Sequence, residues 1–486
     1  MGNSVDAIFV PVTSRPRLIL LACAFVLYAA FPTRTYYWDG VLFALNIESV
    51  AQGQASAAIL IHPNHLLYSA FGYLLYRTAL ACGLTLRAIA VLQIFNTLAS
   101  TAAAAVVYAI AKRMTRSAAV AVFCATLFAF GATWWKFSTD ADAYVVTILL
   151  LLLAIYFVLR ERPQFILAAI CHTVAMLFHQ LAIFAYFAIF AAIFLQQRWP
   201  KQKRVLICAA YALGTGACVG VAYWICYLQA DHSAYPSLAR YVLSYASDSG
   251  FTQSFGQILN SYLTSYVKLF FGGKLSLVKE YFSIASATPF AICAVALGYA
   301  VMRFRRAGAE SRMQADRRSI VVLWAWLLPY AIFLASWDPG SAFHKLFVWP
   351  SMVLLIGAFL ASGRVPCLTA WIAITIAIAA WNFGAFIYPH SHDSADPVLV
   401  LAQKIDRELP KNATVYYSAF SPDDWYLDYF APGRKWVKLN GAPTTVPFCV
   451  DTTARTALAP AADPILHWEL VNSQHGIRLE CFNSLR

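Results

Sequence analysis

Long apolar runs separated by short basic stretches dominate the chain, at residues 18–31, 88–111, 117–135, 143–159, 206–228, 284–302, 320–337, 346–362 and 367–388. Each approaches the roughly 20 residues that a helix needs to cross a bilayer core. Residues 63–80 interrupt their apolar character with Asn64, Ser69, Tyr73 and Arg77, while Leu67, Phe71, Leu74 and Leu75 keep helical spacing. That pattern predicts an amphipathic helix lying in the membrane interface. Residues 164–195 would make one helix of about 48 Å, too long for an ordinary span. They are read as two short helices that turn near His179 and Gln180.

With those two assignments the Lys and Arg residues sort by side. Arg15/Arg17, Lys112/Arg113/Arg116, Arg160/Arg162, Arg198/Lys201/Lys203/Arg204, the arginines between 303 and 318, and Arg364 all fall on one face. The positive-inside rule makes that face cytoplasmic and predicts eleven spans, N-terminus in and C-terminus out. The first run lacks a small-residue cleavage site before Pro32, so it reads as a retained helix. Residues 229–281 are then external and carry a second candidate interfacial helix around 261–271. After Tyr388 the chain turns polar, with a helix pattern at 397–409, a strand pattern at 413–420, an aromatic helix at 423–430 and a strand at 435–439. The expected organisation is a transmembrane domain, 1–388, and a small external α/β domain, 389–486.

Composition agrees with a polytopic α-helical membrane protein: 60% hydrophobic residues, 12% charged residues and a mean hydropathy of +0.61. A net charge of +13 would suit a nucleic-acid partner if it were concentrated on one domain. Here it lies in the short loop clusters, which makes it a topology signal, and no nucleic-acid partner is expected. Most of the eleven cysteines lie in apolar runs and read as core. Cys449 and Cys481 both lie in the external domain, where an oxidising compartment would permit a disulfide. No internal repeat, Walker motif or zinc-ligand cluster is present in the sequence.

Acidic residues are costly near a membrane and tend to mark function there. The first outer loop contains Tyr36-Tyr37-Trp38-Asp39-Gly40, then Glu48, then His62-Pro63-Asn64-His65. Aromatic rings beside one carboxylate can hold a sugar face against a general base; an aromatic belt with a helix-capping Asp explains the same residues. Lys136 through Asp142 (Lys-Phe-Ser-Thr-Asp-Ala-Asp) holds an Asp-x-Asp, in which Asp140 and Asp142 can share a divalent cation, Mg or Mn, through hard oxygen ligands. Asp140 as the N-cap of the next helix explains it equally well. His179 at the hairpin tip, and His62 and His65, can donate to a phosphate or a sugar hydroxyl, or can be polar turn residues. Asp338 sits in a Pro-Gly turn, and His344 and Lys345 place cationic donors at the level of a lipid phosphate. Glu48, His62, His65, Lys136, His179, His344 and Lys345 are accordingly the candidate substrate-binding residues. Lys268, Lys274 and Arg240 are further cations on the same side.

These positions resemble the GT-C superfamily of membrane glycosyltransferases, in particular its protein O-mannosyltransferase-like group. The resemblance rests on Asp39 just after the first span, His62-Pro63 at the start of a juxtamembrane helix, the polar loop before the fourth span, His179 in a short hairpin, and the Trp337 to Gly340 loop. It covers residues 15–388 as architecture. It implies transfer of a sugar, with inversion, from a polyprenyl-phosphate carrier in the membrane to a glycan, lipid or protein acceptor on the periplasmic side of a bacterial inner membrane. Asp39 would be the general base and Asp140/Asp142 would stand where some members keep metal-binding acids. The chain departs from the mannosyltransferases in following Asp39 with Gly40 where they have Glu, which leaves the acceptor class open. The competing expectation is a transporter or flippase of a lipid-linked substrate. Such proteins place charges on broken helices in repeated halves, a pattern not seen in this sequence.

Overall fold

The computed structural model describes residues 15–244, 255–305, 315–362, 367–408, 411, 414–417, 424–438, 448–451, 466–471 and 476–482, of which 255, 284–286, 414–417, 424, 435–438 and the last three segments are described as backbone only. Arg306, Arg312 and Arg364 of the basic clusters lie outside them.

The helix Ala88–Thr115 is the axis of the fold. Its small side chains Ala99, Ala103, Ala104 and Ala111 are buried, so neighbouring backbones approach closely and dispersion contacts replace the hydrophobic force that lipid cannot supply. Around it pack Arg15–Ala30, Ala118–Phe130, Ala143–Val158 and Trp349–Ala361. Among the described residues five helices are long and apolar enough to cross a membrane: Ala88–Thr115, Lys201–Tyr227, Ala287–Arg305, Arg317–Trp337 and Leu368–His390. The pair Ala118–Phe130 and Ala132–Ser138, bent by 66°, would be a sixth. Ala143–Val158, Phe165–Phe178 and Trp349–Ala361 are apolar but only 13 to 16 residues long. The chain is thus a helical integral membrane protein, while the count of eleven stays an expectation. The anticipated break at His179 is present: Phe165–Phe178 ends there and Gln180–Phe194 begins.

Two amphipathic helices lie where the sequence pattern puts them. Tyr68–Ala81 follows a tight turn at His62 to His65, and Phe255–Phe270 exposes Leu259, Leu263 and Val267 at helical spacing while burying Leu269 and Ser265. A third was missed. The first outer loop is a helix from Trp38 to Ala51 that buries Val41, Phe43, Ala44, Ile47 and Glu48. The 3.6 period was present in the sequence, but Gly40, a poor helix former, masked its first turn.

Glu48 is structural. Its Oε1 accepts from Arg87 Nε (2.9 Å), the Ala88 amide (2.8 Å) and the Tyr429 hydroxyl (3.0 Å), and Oε2 accepts from Arg87 Nε at 3.0 Å. The Arg87 guanidinium also lies 4.0 Å over the Tyr429 ring and donates to its carbonyl. This knot fastens the tail helix Asp424–Phe430 to Trp38–Ala51 and to the start of Ala88–Thr115. It removes Glu48 from the substrate-binding set, because its oxygens already hold protein donors.

Further along the tail, Thr414–Tyr417 pairs in parallel with Lys435–Lys438, and Gly476–Phe482 lies antiparallel between Phe448–Asp451 and Leu466–Val471. Cys449 and Cys481 stand directly opposite in that register; their side chains lie outside the described residues. The substitution Glu48→Ala is expected to cost about 2 kcal/mol by orphaning the Ala88 amide and the Tyr429 hydroxyl. A lowered melting temperature of the detergent-solubilised protein is the check.

Candidate active site

The N-terminal end of Ala88–Thr115 carries two buried amides about one turn apart, Gln93 and Asn96. Gln93 Nε2 donates to the carbonyls of Thr33 (2.9 Å) and Thr139 (2.8 Å), and Asn96 Nδ2 donates to those of Asp140 and Asp142, both at 2.8 Å. Two loops far apart in sequence, 33–40 and 138–142, are thereby stitched to one helix and to each other. Sequence analysis passed over both residues. Their signal was two amides three positions apart in an apolar span, where an unsatisfied amide is costly.

Gly40 completes the junction. A Cβ at this position would sit 2.1 Å from the Ala141 carbonyl oxygen, so only glycine lets Trp38–Ala51 start against the Asp140-Ala141-Asp142 loop. This accounts physically for the departure from the Asp-Glu pair. Asp39 lies in the first turn of that helix, where the helix dipole favours an anion. Burial opposes this and pushes the Asp39 carboxyl up to about 6, with a hydrogen bond from Tyr37 as the smaller, opposite effect. A carboxyl poised there can accept a proton near neutral pH.

Asp140 and Asp142 are engaged by the protein. Asp140 Oδ2 accepts from Lys136 Nζ at 2.5 Å and from the Tyr37 amide at 2.9 Å, and its Oδ1 accepts from the Ala141 amide. Asp142, not Asp140, is the N-cap of Ala143–Val158, with Oδ1 accepting from the Tyr144 amide. Burial raises the Asp142 carboxyl well above its usual range. This donor set does not fit a divalent ion, since a lysine ammonium already occupies one carboxylate and a helix terminus the other. Among the described residues no group of three His, Cys, Asp or Glu side chains is arranged to hold a metal.

The histidines gather on one aromatic wall. His65 lies 5.7 Å from His62 and 4.7 Å from His179, ring centre to ring centre, and Tyr144 lies 4.8 Å from His179 and 5.9 Å from His344. Burial pushes His62 down to about 4 and His65 down to about 3, with the neighbouring imidazole adding to the effect at His65. Both are neutral at physiological pH. They bring no positive charge to the site, and a neutral ring can still donate one hydrogen bond. His65 Nδ1 is used by the Phe178 carbonyl, and His179 Nδ1 accepts from the Leu181 amide.

Lys345 also differs from expectation. Its Nζ donates to the carbonyls of Asp338 (3.3 Å), Pro339 (2.8 Å) and Ser341 (3.1 Å), it is fully buried, and burial pushes it down to about 8. All three of its protons pin the 338–341 turn. His344 Nδ1 lies 2.7 Å from Asp338 Oδ2, a partner that sequence analysis had assigned to turn chemistry alone.

Two cavities flank this wall. One of about 320 Å³ is lined by Lys136, Lys268, Lys274 and His390 with the rings of Phe137 and Phe343. Gly273, at φ +91° and with a would-be Cβ 2.0 Å from the Ala385 carbonyl oxygen, makes the turn that sets Lys274. The other cavity, about 710 Å³, is mostly apolar and is lined by Phe184, Val219, Val242 and Trp337, with His179 and Gln180 among its few polar residues. Tyr37 packs on Phe137 (5.5 Å) and Phe343 (5.2 Å) of the lysine cavity. Tyr144 packs on His179 of the apolar one, and Asp39 acts electrostatically on both tyrosines. None of Asp39, Tyr37 and Tyr144 lines either cavity; the aromatic wall touches the cationic pocket through Tyr37 and the apolar groove through Tyr144.

Comparison with known proteins agrees with this geometry. Residues 74–224 match the family described as dolichyl-phosphate-mannose-protein mannosyltransferase. The fold is similar to that of ArnT from Cupriavidus metallidurans in the apo state, with a TM-score of 0.60 at 12% identity over 95% of this chain and 97% of that one. The same protein bound to undecaprenyl phosphate gives 0.58 at 11% identity, with the same coverage. No curated protein matches the chain in sequence. The chain has the fold of the GT-C superfamily of membrane glycosyltransferases. The matched segment contains Lys136, Asp140, Asp142 and His179 but neither Asp39 nor the 336–347 loop.

As a capping residue, Asp142 has a measurable signature. Asp142→Ala should cost about 1 kcal/mol, and Mg²⁺ or Mn²⁺ at millimolar concentration should leave the wild-type melting temperature unchanged. A rise with metal that Asp142→Ala abolishes would restore the metal-site reading.

Proposed function

We propose that the protein is an inverting glycosyltransferase that moves a sugar from a polyprenyl-phosphate carrier to an acceptor hydroxyl, with Asp39 as the general base. The observation that carries this reading is the placement of Asp39: a half-buried carboxyl, held up to about 6, next to Tyr37, whose ring packs on Phe137 and Phe343 of the lysine-lined cavity. Lys136, Lys268 and Lys274 supply fixed positive charge for a phosphate that gains negative charge as the glycosidic bond breaks. Their cavity is rimmed by Phe137, Phe271, Phe343 and Phe386, which suits a phosphate carried on a prenyl chain. The bound undecaprenyl phosphate of the ArnT structure supports a donor of that class. Lys136 keeps its candidate role with a double duty, since it also neutralises Asp140.

In the reaction Asp39 takes the proton of the acceptor hydroxyl as that oxygen attacks the anomeric carbon from the face opposite the phosphate. Attack and departure on opposite faces invert the configuration. No step requires a metal, because lysine charge is already aimed at the leaving group. The outer face is the periplasmic one by the distribution of basic loops, in a bacterial inner membrane with the N-terminus cytoplasmic.

Asp39→Asn removes the base while keeping its shape, and should lower polyprenyl-phosphate release by at least 10²-fold without lowering the melting temperature. The base works only when ionised. Turnover should therefore fall about tenfold per pH unit below about pH 6 and level off above it. Full activity of Asp39→Asn would remove Asp39 from this role.

A further inference from the structure

His344 is built as an acid–base residue. Burial pushes the Asp338 carboxyl up, but the His344 hydrogen bond and the charges of His344 and Lys345 outweigh it and hold Asp338 below the usual carboxylate range. Asp338 is therefore an anion and can only accept, so the 2.7 Å contact fixes the proton of His344 on Nδ1. Nε2, which carries no hydrogen bond among the described residues, is the open nitrogen. A histidine serving packing alone would more often be satisfied on both sides; here one side is fixed and the other left available.

The support around the ring is rigid. Ser341 Oγ accepts from the His344 amide at 3.2 Å, Ser265 Oγ donates to the Pro339 carbonyl at 3.0 Å, and Lys345 ties three more carbonyls of the same turn. Trp337 at 4.7 Å and Phe343 at 4.5 Å hold the imidazole, the first lining the apolar groove and the second the lysine cavity. The ring thus stands at the partition between the two cavities. The titratable groups facing it are Asp338 and Lys345 from its own loop, Tyr144 from Ala143–Val158, His65 from the 62–65 turn and His179.

We propose that His344, oriented by Asp338, is the second acid–base residue of the transfer centre and carries off the proton that Asp39 takes from the acceptor. This rests on the glycosyl-transfer reading above. In that reaction the acceptor O–H bond breaks, the oxygen–carbon bond forms, and the carbon–oxygen bond to phosphate breaks with its electron pair going to phosphate. The proton is left on Asp39, which must lose it before the next turnover. Tyr37 and Tyr144 both lie within electrostatic reach of Asp39, and the Tyr144 ring packs against His344 with 5.9 Å between ring centres. Each hydroxyl accepts one proton and gives one up, and the last reaches His344 Nε2. Burial pushes the His344 imidazole below its ordinary value, and the Asp338 hydrogen bond and charge oppose this and favour the transient imidazolium. It then protonates the departed phosphate monoester, whose second ionisation lies near pH 6. Acceptor proton and phosphate charge balance, and no further reactant is needed.

The test is steady-state release of polyprenyl phosphate by wild type, His344→Gln and Asp338→Asn in nanodiscs, across pH and with and without added imidazole. His344→Gln should lower kcat about 10- to 100-fold with KM unchanged, and imidazole should restore part of the loss. Asp338→Asn should give a smaller kcat loss and shift the pH profile, and it decides the question if His344→Gln fails to fold. Wild-type rates in both variants would overturn the role of His344, as would a loss that imidazole leaves untouched and that tracks a lowered melting temperature. Absence of release by wild type itself would instead sink the glycosyl-transfer reading on which the inference stands.

Discussion

Two buried side-chain amides on one helix hold this site together. Gln93 and Asn96 answer four backbone carbonyls, those of Thr33, Thr139, Asp140 and Asp142. Everything at the outer face inherits its position from that junction. Gly40 can meet Ala141 because the loops are held in register, and Asp39 owes its partial burial to the same close approach. Lys136 and Asp140, four residues apart, are locked by the same stitching.

The electrostatic division of the site follows from where water is excluded. Burial neutralises His62 and His65, so the aromatic wall is polar but uncharged. Lys136, Lys268 and Lys274 converge on the smaller cavity and concentrate the positive charge there. Lys345 might have joined them by sequence position, but three backbone carbonyls draw it inward to fix a turn. One lysine is thus used as mortar, and three line the smaller cavity. The tail is fastened by the same economy of buried pairs, with Glu48, Arg87 and Tyr429 joining segments from both ends of the chain.

Class, helical architecture and the amphipathic helices were legible in the sequence because they rest on local patterns: run length and 3.6 periodicity. Residues whose meaning depends on partners were less legible. Glu48 read as a loop acid, since its partner Tyr429 lies 381 positions away. The capping role fell to Asp142 and not Asp140 because the next helix begins at Ala143, directly after it. Asp338 looked like turn chemistry until the fold turned His344 back onto it. Gln93 and Asn96 were visible as polar positions in an apolar run, and only the loops above them show why they are there.

The most direct measurement of the central claim is product analysis: purified protein in nanodiscs incubated with a panel of polyprenyl-phosphate-linked sugars, with released polyprenyl phosphate quantified. The account predicts release from at least one donor, dependent on Asp39 and unaffected by a metal chelator. Binding without release across the panel, or transbilayer movement of the intact donor, would contradict it.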